Sequence, residues 1–113
     1  MITLMSWGMK YGEPPANFKF DVSYLKNPWR EGLKGYGEIM HFMNNQKEFQ
    51  ELLKVFVDTI LCYNELYPHE NLVFAFCCSA GEFRSPVMVE CIGAILKPTG
   101  INYQIIQNQY SRL

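Results

Sequence analysis

The run Leu72-Val73-Phe74-Ala75-Phe76-Cys77 is apolar at every position. A strand with one wet face alternates polar and apolar residues, whereas an unbroken run of this length belongs to a central strand covered on both faces. Strands of that kind sit in largely parallel sheets, and parallel neighbours are joined by crossovers, usually helical. The segments around the run supply such elements.

Before it, Phe49, Leu52, Leu53, Phe56, Val57, Ile60 and Leu61 recur at three and four, the apolar stripe of an amphipathic helix over 45–67. Asn45 with Glu48 reads as its capping box and Pro68 as its stop. After it, Ser85-Pro86 reads as an N-cap and first helical residue. That second helix buries Val87, Met88, Cys91, Ile92, Ile95 and Leu96 and ends at Pro98-Thr99-Gly100; Ile101, Tyr103 and Ile105 form a last strand. Near the start, Ile2 to Trp7 reads as a strand closed by Gly8, followed by a loop with Gly12, Pro14 and Pro15. Phe18, Phe20, Val22 and Tyr24 alternate with Lys19, Asp21 and Ser23, a half-buried strand. Gly32, Gly35 and Gly37 make 30–44 irregular, with a short helix starting around Ile39, Met40, Phe42 and Met43.

Strand, helix, strand, helix, strand predicts an α/β fold: one small domain over 1–113, with an open, mostly parallel sheet of about four strands flanked by helices and right-handed crossovers. At 113 residues and 49% hydrophobic, with 15% aromatic side chains, the chain fits a single domain with a real core.

The formal net charge is −1 and no run of like charge occurs, which argues against whole-surface binding to nucleic acid or an anionic membrane. Cys62, Cys77, Cys78 and Cys91 form no CxxC pair, so neither a zinc framework nor a disulfide scaffold is expected. His41 and His69 read as surface or cap residues and no metal is expected. Without a basic leader or an apolar stretch of membrane length, the expected place is the cytoplasm. Cys62 and Cys91 fall on predicted apolar helix faces and should be inert. Trp29, Tyr36 and Phe42 read as core or dimer-packing rings, with a ligand-pocket wall as the alternative.

Ligands of open α/β sheets sit beyond the carboxyl ends of the strands, where Cys78-Ser79-Ala80-Gly81-Glu82-Phe83-Arg84-Ser85 falls. A loop of this length can turn successive N–H groups inward as a nest for oxygen atoms. The helix beginning nearby adds unsatisfied N–H groups and a positive dipole end. Arg84 can grip two oxygens bidentately, Gly81 permits a positive φ, and the same field favours a Cys78 thiolate. The expected ligand is a phosphate-like anion. Asp21 either orients Arg84 or Lys10 or caps a turn.

The Cys-x5-Arg-Ser spacing by itself resembles the signature of cysteine-dependent phosphatases, with Cys78 as nucleophile and Arg84 as oxyanion clamp. That chemistry also requires a general acid. The two aspartates fall in a predicted strand (Asp21) and in a long helix (Asp58), and Glu82 would repel a dianion. Binding without turnover is therefore the first reading and phosphatase the second.

Three ordered segments widen the comparison: Ser6-Trp7-Gly8-Met9-Lys10-Tyr11-Gly12-Glu13-Pro14, Phe20-Asp21-Val22-Ser23-Tyr24-Leu25-Lys26-Asn27-Pro28-Trp29, and Ala75 through Ser85. Together they resemble the C-terminal domain of the RNase adapter RapZ family, with its S-F-x-[FY]-K-x-G-x-P, F-D-V-R-x-L-x-N-P-x-W and G-C-T-G-G-x-H-R-S segments. The resemblance runs from about Thr3 to Ile106. It implies a domain that self-associates, takes part in small-RNA and regulator binding, and senses an amino-sugar phosphate at the loop. On this reading the site uses Ser79, Ala80, Gly81, Arg84 and Ser85, with Lys10 and Asn27 nearby. The family's nucleotide-binding N-terminal domain and any G-x4-G-K-[ST] motif are absent from this sequence, so ATP hydrolysis is not expected to carry over and no cofactor is expected. Several family ligand groups also differ: Phe83 stands for a histidine, Ser23 for an arginine, and Gln107-Asn108 for a His-Arg pair. The expected function is a non-enzymatic phosphometabolite sensor, adapter or sequestering domain. The alternatives are the phosphatase and a protein- or RNA-interaction module acting through self-association.

Overall fold

The computed structural model describes residues 1–107. Four strands, β1 (Ile2–Gly8), β2 (Phe18–Asp21), β3 (Leu72–Cys78) and β4 (Tyr103–Ile106), form one all-parallel sheet in the order β2-β3-β1-β4. Three helices, α1 (Tyr36–Asn44), α2 (Lys47–Leu66) and α3 (Arg84–Leu96), complete the single α/β domain.

The apolar run is the inner strand β3, paired to both β1 and β2, with Phe74 through Cys78 buried. Its two faces are covered differently. Phe74, Phe76 and Cys78 join the core under the helices, together with Ile2, Leu4, Phe49, Phe56, Ile60, Met88 and Ile92. Ala75 and Cys77 face the other way and pack with Met5 under Trp7, Met9 and Ala16. Handedness explains the division. The chain steps one way from β2 to β3 and from β3 to β4, but the opposite way from β1 to β2, so right-handed crossovers must lie on opposite faces. The helices take one face, and the short 9–17 segment crosses β3 on the other.

Phe18, Phe20, Phe56, Phe74 and Phe76 stack across β2, β3 and α2, with neighbouring ring centroids 4.7–5.5 Å apart. This is an aromatic cluster of the kind that contributes beyond its buried area.

Several local expectations change. The second strand stops at Asp21 instead of Tyr24, because the Asp21 carboxylate accepts the Ser23 N–H at 2.8 Å and turns the chain. Tyr24 is then 90% exposed while Val22 is fully buried. Asn45 and Glu48 form no capping box: Asn45 is the C-terminal cap of α1, and Gln46 precedes α2. A 3-10 turn, Pro28–Glu31, runs into the irregular 30–44 stretch, and α1 begins three residues before Ile39. Ser85 lies inside α3, whose N-cap is Phe83. On α3, Val89 is buried and Ile95 is 41% exposed, the reverse of the predicted stripe. Cys62 is exposed on α2, not part of its apolar face. No helix among the described residues is long and apolar enough to cross a membrane.

Candidate functional site

At its carboxyl end β3 meets Gly8 of β1, which pairs with Cys78. The chain then bends through 79–83 into α3. Gly81 takes φ +71°, the left-handed backbone its position in the loop predicts. The Lys10 N–H donates to the Ser79 carbonyl at 3.1 Å and ties the loop to the segment after β1. Gly8 packs against the same loop so closely that a Cβ there would sit 2.5 Å from the Ala80 carbonyl oxygen. This contact is invisible in the sequence, because it joins residues seventy positions apart.

The backbone of the loop is left with open donors. Among the described residues, none of the N–H groups of Ser79, Ala80, Gly81, Phe83, Arg84 and Ser85 donates to a protein acceptor. Most backbone donors in a fold are paired with protein or water, so a run of open ones at a strand-to-helix bend is a ready set for oxygen ligands.

Arg84 is 8% exposed and held by the backbone. One terminal nitrogen donates to the carbonyls of Ser23 and Leu25, the latter at 3.2 Å, and the other lies 3.5 Å from Ser79 Oγ. Among the described residues no carboxylate pairs with it. Asp21 therefore does not orient Arg84 or Lys10 directly. By capping its turn it delivers the Ser23 and Leu25 carbonyls that do.

A cavity of about 410 Å³ opens here, lined by Lys10, Asn27, Cys78, Ser79, Ala80, Glu82, Phe83 and Arg84. Of the ten residues the sequence reading names for the anion site (Lys10, Asn27 and Cys78 through Ser85), Gly81 and Ser85 are the two not in its wall, and both are buried. Trp29 joins that wall; it is 63% exposed, so it is not a core ring, and within this chain it takes the pocket-wall place. Lys10 also sits 5.2 Å from the centroid of the Tyr11 ring. Asn27 Oδ1 accepts the Trp29 N–H at 3.1 Å and caps the 3-10 turn.

Cys78 is 2% exposed, and its Sγ donates to Ser85 Oγ at 3.3 Å. The Ser85 hydroxyl reaches the Trp7 carbonyl at 3.5 Å. Cys77, on the other face, has its thiol pushed up to about 11 by burial. Gln107 links the sheet to α3, donating to Glu90 Oε1 at 2.9 Å and accepting from the Ser6 hydroxyl. Asn108 lies outside the described residues.

Fold and hollow together define a small parallel α/β domain with an open-amide, arginine-backed bend at the carboxyl tip of its central strand. The chain belongs to the RapZ C-terminal domain family, whose model matches residues 1–111. It is 30% identical over 119 residues to a nucleotide-binding protein of Frankia alni, covering 97% of this chain and 41% of that protein. It is 33% identical over 113 residues to a nucleotide-binding protein of Pasteurella multocida, covering 92% of this chain and 39% of that one. A Lysinibacillus sphaericus nucleotide-binding protein is 33% identical over 106 residues, with 84% and 35% covered. The chain thus spans about two fifths of the length of these relatives.

Proposed function

We propose that this domain binds a phosphorylated small molecule, its phosphoryl oxygens held by the amides of Ser79, Ala80, Gly81, Phe83, Arg84 and Ser85 and by the Arg84 side chain, and that it does so without turnover, as a sensor, adapter or sequestering module. The observation that carries this reading is the coincidence of open N–H groups with a buried guanidinium that has no carboxylate partner among the described residues. A buried cation of this kind leaves attraction for an incoming anion instead of spending it on an internal one. Lys10 adds positive charge at the rim. The naming of relatives as nucleotide-binding proteins agrees with a phosphorylated ligand. Four free thiols suit a reducing compartment, and the cytoplasm is where the proposal puts the domain.

A phosphatase reading needs an accessible thiolate and a carboxylic acid facing it across the ligand. Cys78 is nearly closed off, and among the described residues the one carboxylate in the cavity wall is Glu82, on the loop itself. Binding is the better supported of the two.

Calorimetric and thermal-shift titration with inorganic phosphate and sulfate tests the proposal. Stabilisation should grow with the logarithm of anion concentration. Arg84→Lys keeps the charge but cannot serve both the carbonyls and the cavity, so the anion should bind about tenfold or more weakly, the loss of one charge-assisted hydrogen bond. Cys78→Ser should leave binding in place. Absence of any anion effect on the wild-type protein refutes the proposal, and turnover of an aryl phosphate that disappears in Cys78→Ser would install the phosphatase instead.

A further inference from the structure

We infer that the molecule held here is a phosphate ester carrying a flat aromatic ring, with the ring laid on Trp29 in a second hollow beside the first. The inference rests on the anion-binding reading above and names the chemical class of its ligand.

The second hollow, about 500 Å³, is lined by Trp29, Gly32, Leu33, Lys34 and Phe83. Trp29 and Phe83 line both hollows, so the two adjoin at these rings, one on the side of the loop and the other on the side of 32–34. On the side of the loop are its amides, Arg84 and Lys10. In the second hollow the side-chain polar groups are few: the Lys34 ammonium and the indole N–H. A polyol placed there would lose water and find little to replace it, which costs free energy for each unmatched hydroxyl. A flat ring has no such need.

Trp29 is built as a platform. Its indole is 63% exposed, stacks on no ring among the described residues, and donates to no protein acceptor there. Its backbone, in contrast, is fixed on both sides. Asn27 caps the turn from below, buried Pro28 occupies the first helical position, and the Gly32 N–H returns to the carbonyls of Pro28 and Trp29. An exposed aromatic side chain on an immobile turn offers a large contact area with little entropy left to lose on binding. Phe83, 8% exposed, puts an apolar ring at the boundary between the two hollows.

The test is calorimetry with four probes: adenosine 5′-monophosphate, glucose 6-phosphate, inorganic phosphate and uncharged adenosine. The nucleotide should bind about tenfold tighter than either of the other two phosphates, the gain of one stacked ring. Adenosine alone should bind weakest. In Trp29→Ala the ratio of nucleotide to phosphate affinity should fall to about one. In Trp7→Phe, where Trp29 is the sole indole of the two in the chain, the nucleotide should quench fluorescence and inorganic phosphate should not. If phosphate binds but the nucleotide gains nothing, or if the gain survives Trp29→Ala, the inference is overturned while anion binding stands. If no phosphate binds at all, the anion reading fails and takes the inference with it. Should Trp7→Phe not fold, the calorimetric ratio decides by itself.

Discussion

Replacing Gly8 by alanine isolates the support that β1 gives to the binding loop. Gly8 has φ −98° and ψ 120°, ordinary extended backbone that alanine adopts freely. On conformational grounds the substitution should stabilise the chain by about 0.4–1 kcal/mol, by reducing the freedom of the unfolded state. Sterically it does the reverse. The new methyl would lie 2.5 Å from the Ala80 carbonyl oxygen, 2.6 Å from its carbon and 3.0 Å from the Gly81 nitrogen. All three are backbone atoms, so no side chain can rotate aside and the loop itself must move. Overpacking of this kind costs about 1–3 kcal/mol, which leaves a net loss centred on ~1.3 kcal/mol, within a range of about 0–2.6, once the entropic gain is subtracted. The displacement falls on the segment whose amides are proposed to hold the anion. A misplacement of about 1 Å in a preorganised site commonly costs up to a hundredfold in function, so phosphate affinity should fall by at least tenfold. Urea unfolding followed by circular dichroism gives the first quantity and calorimetric titration the second. A Gly8→Ala protein that is as stable as wild type and binds phosphate equally well would refute the reasoning. A protein that loses stability yet keeps its affinity would show that the loop is held in place by something other than β1.

Four further outcomes follow from the packing. Gly93→Ala should be close to neutral, within about 1 kcal/mol by urea midpoint, because its new methyl meets the flexible tip of Ile105 at 2.7 Å and alanine restores helix propensity. Phe76→Ala, which empties the centre of the aromatic cluster, should cost about 3–5 kcal/mol, read as a large drop in thermal midpoint. Thiol alkylation at pH 8 followed by mass spectrometry should modify exposed Cys62 first and leave Cys77 untouched, since burial holds that thiol protonated up to about 11. The native state keeps this proton where the unfolded chain, at 9.0, releases it, so the contribution is intact below pH 9 and stability should fall as pH rises from 9 toward 11.

The parts legible in the sequence are those fixed by burial over a whole element. Leu72 to Cys77 could be read as a central strand because both its faces are covered, and Phe49, Phe56, Val57 and Ile60 because one helix face is. The strand-to-helix bend was legible from Gly81 and Arg84. What escaped depends on short local bonds or on distant neighbours. Asp21 looked like one more polar step in an alternating strand, yet its carboxylate takes the Ser23 N–H and ends the strand. Asn45 suits a helix start as well as a helix end, and the chain uses it as an end. Ser85 next to Pro86 resembles a cap, but its hydroxyl is turned toward Cys78 and the Trp7 carbonyl. Nothing local decides whether Trp29 is a core ring or a pocket wall, and nothing marks Gly8 as the loop's footing. Those roles exist only once β1, the 3-10 turn at Pro28–Glu31 and the loop have been brought together.

Two-dimensional amide NMR during titration with inorganic phosphate addresses the open donors at the tip of β3 directly. The cross-peaks of Ser79, Ala80, Gly81, Phe83, Arg84 and Ser85 should move together, saturably and with one dissociation constant, and in Arg84→Lys the same movement should need about tenfold or more phosphate. If those six peaks stay still while phosphate is added, or drift without saturating, the bend is not an anion site and the account of this domain is wrong.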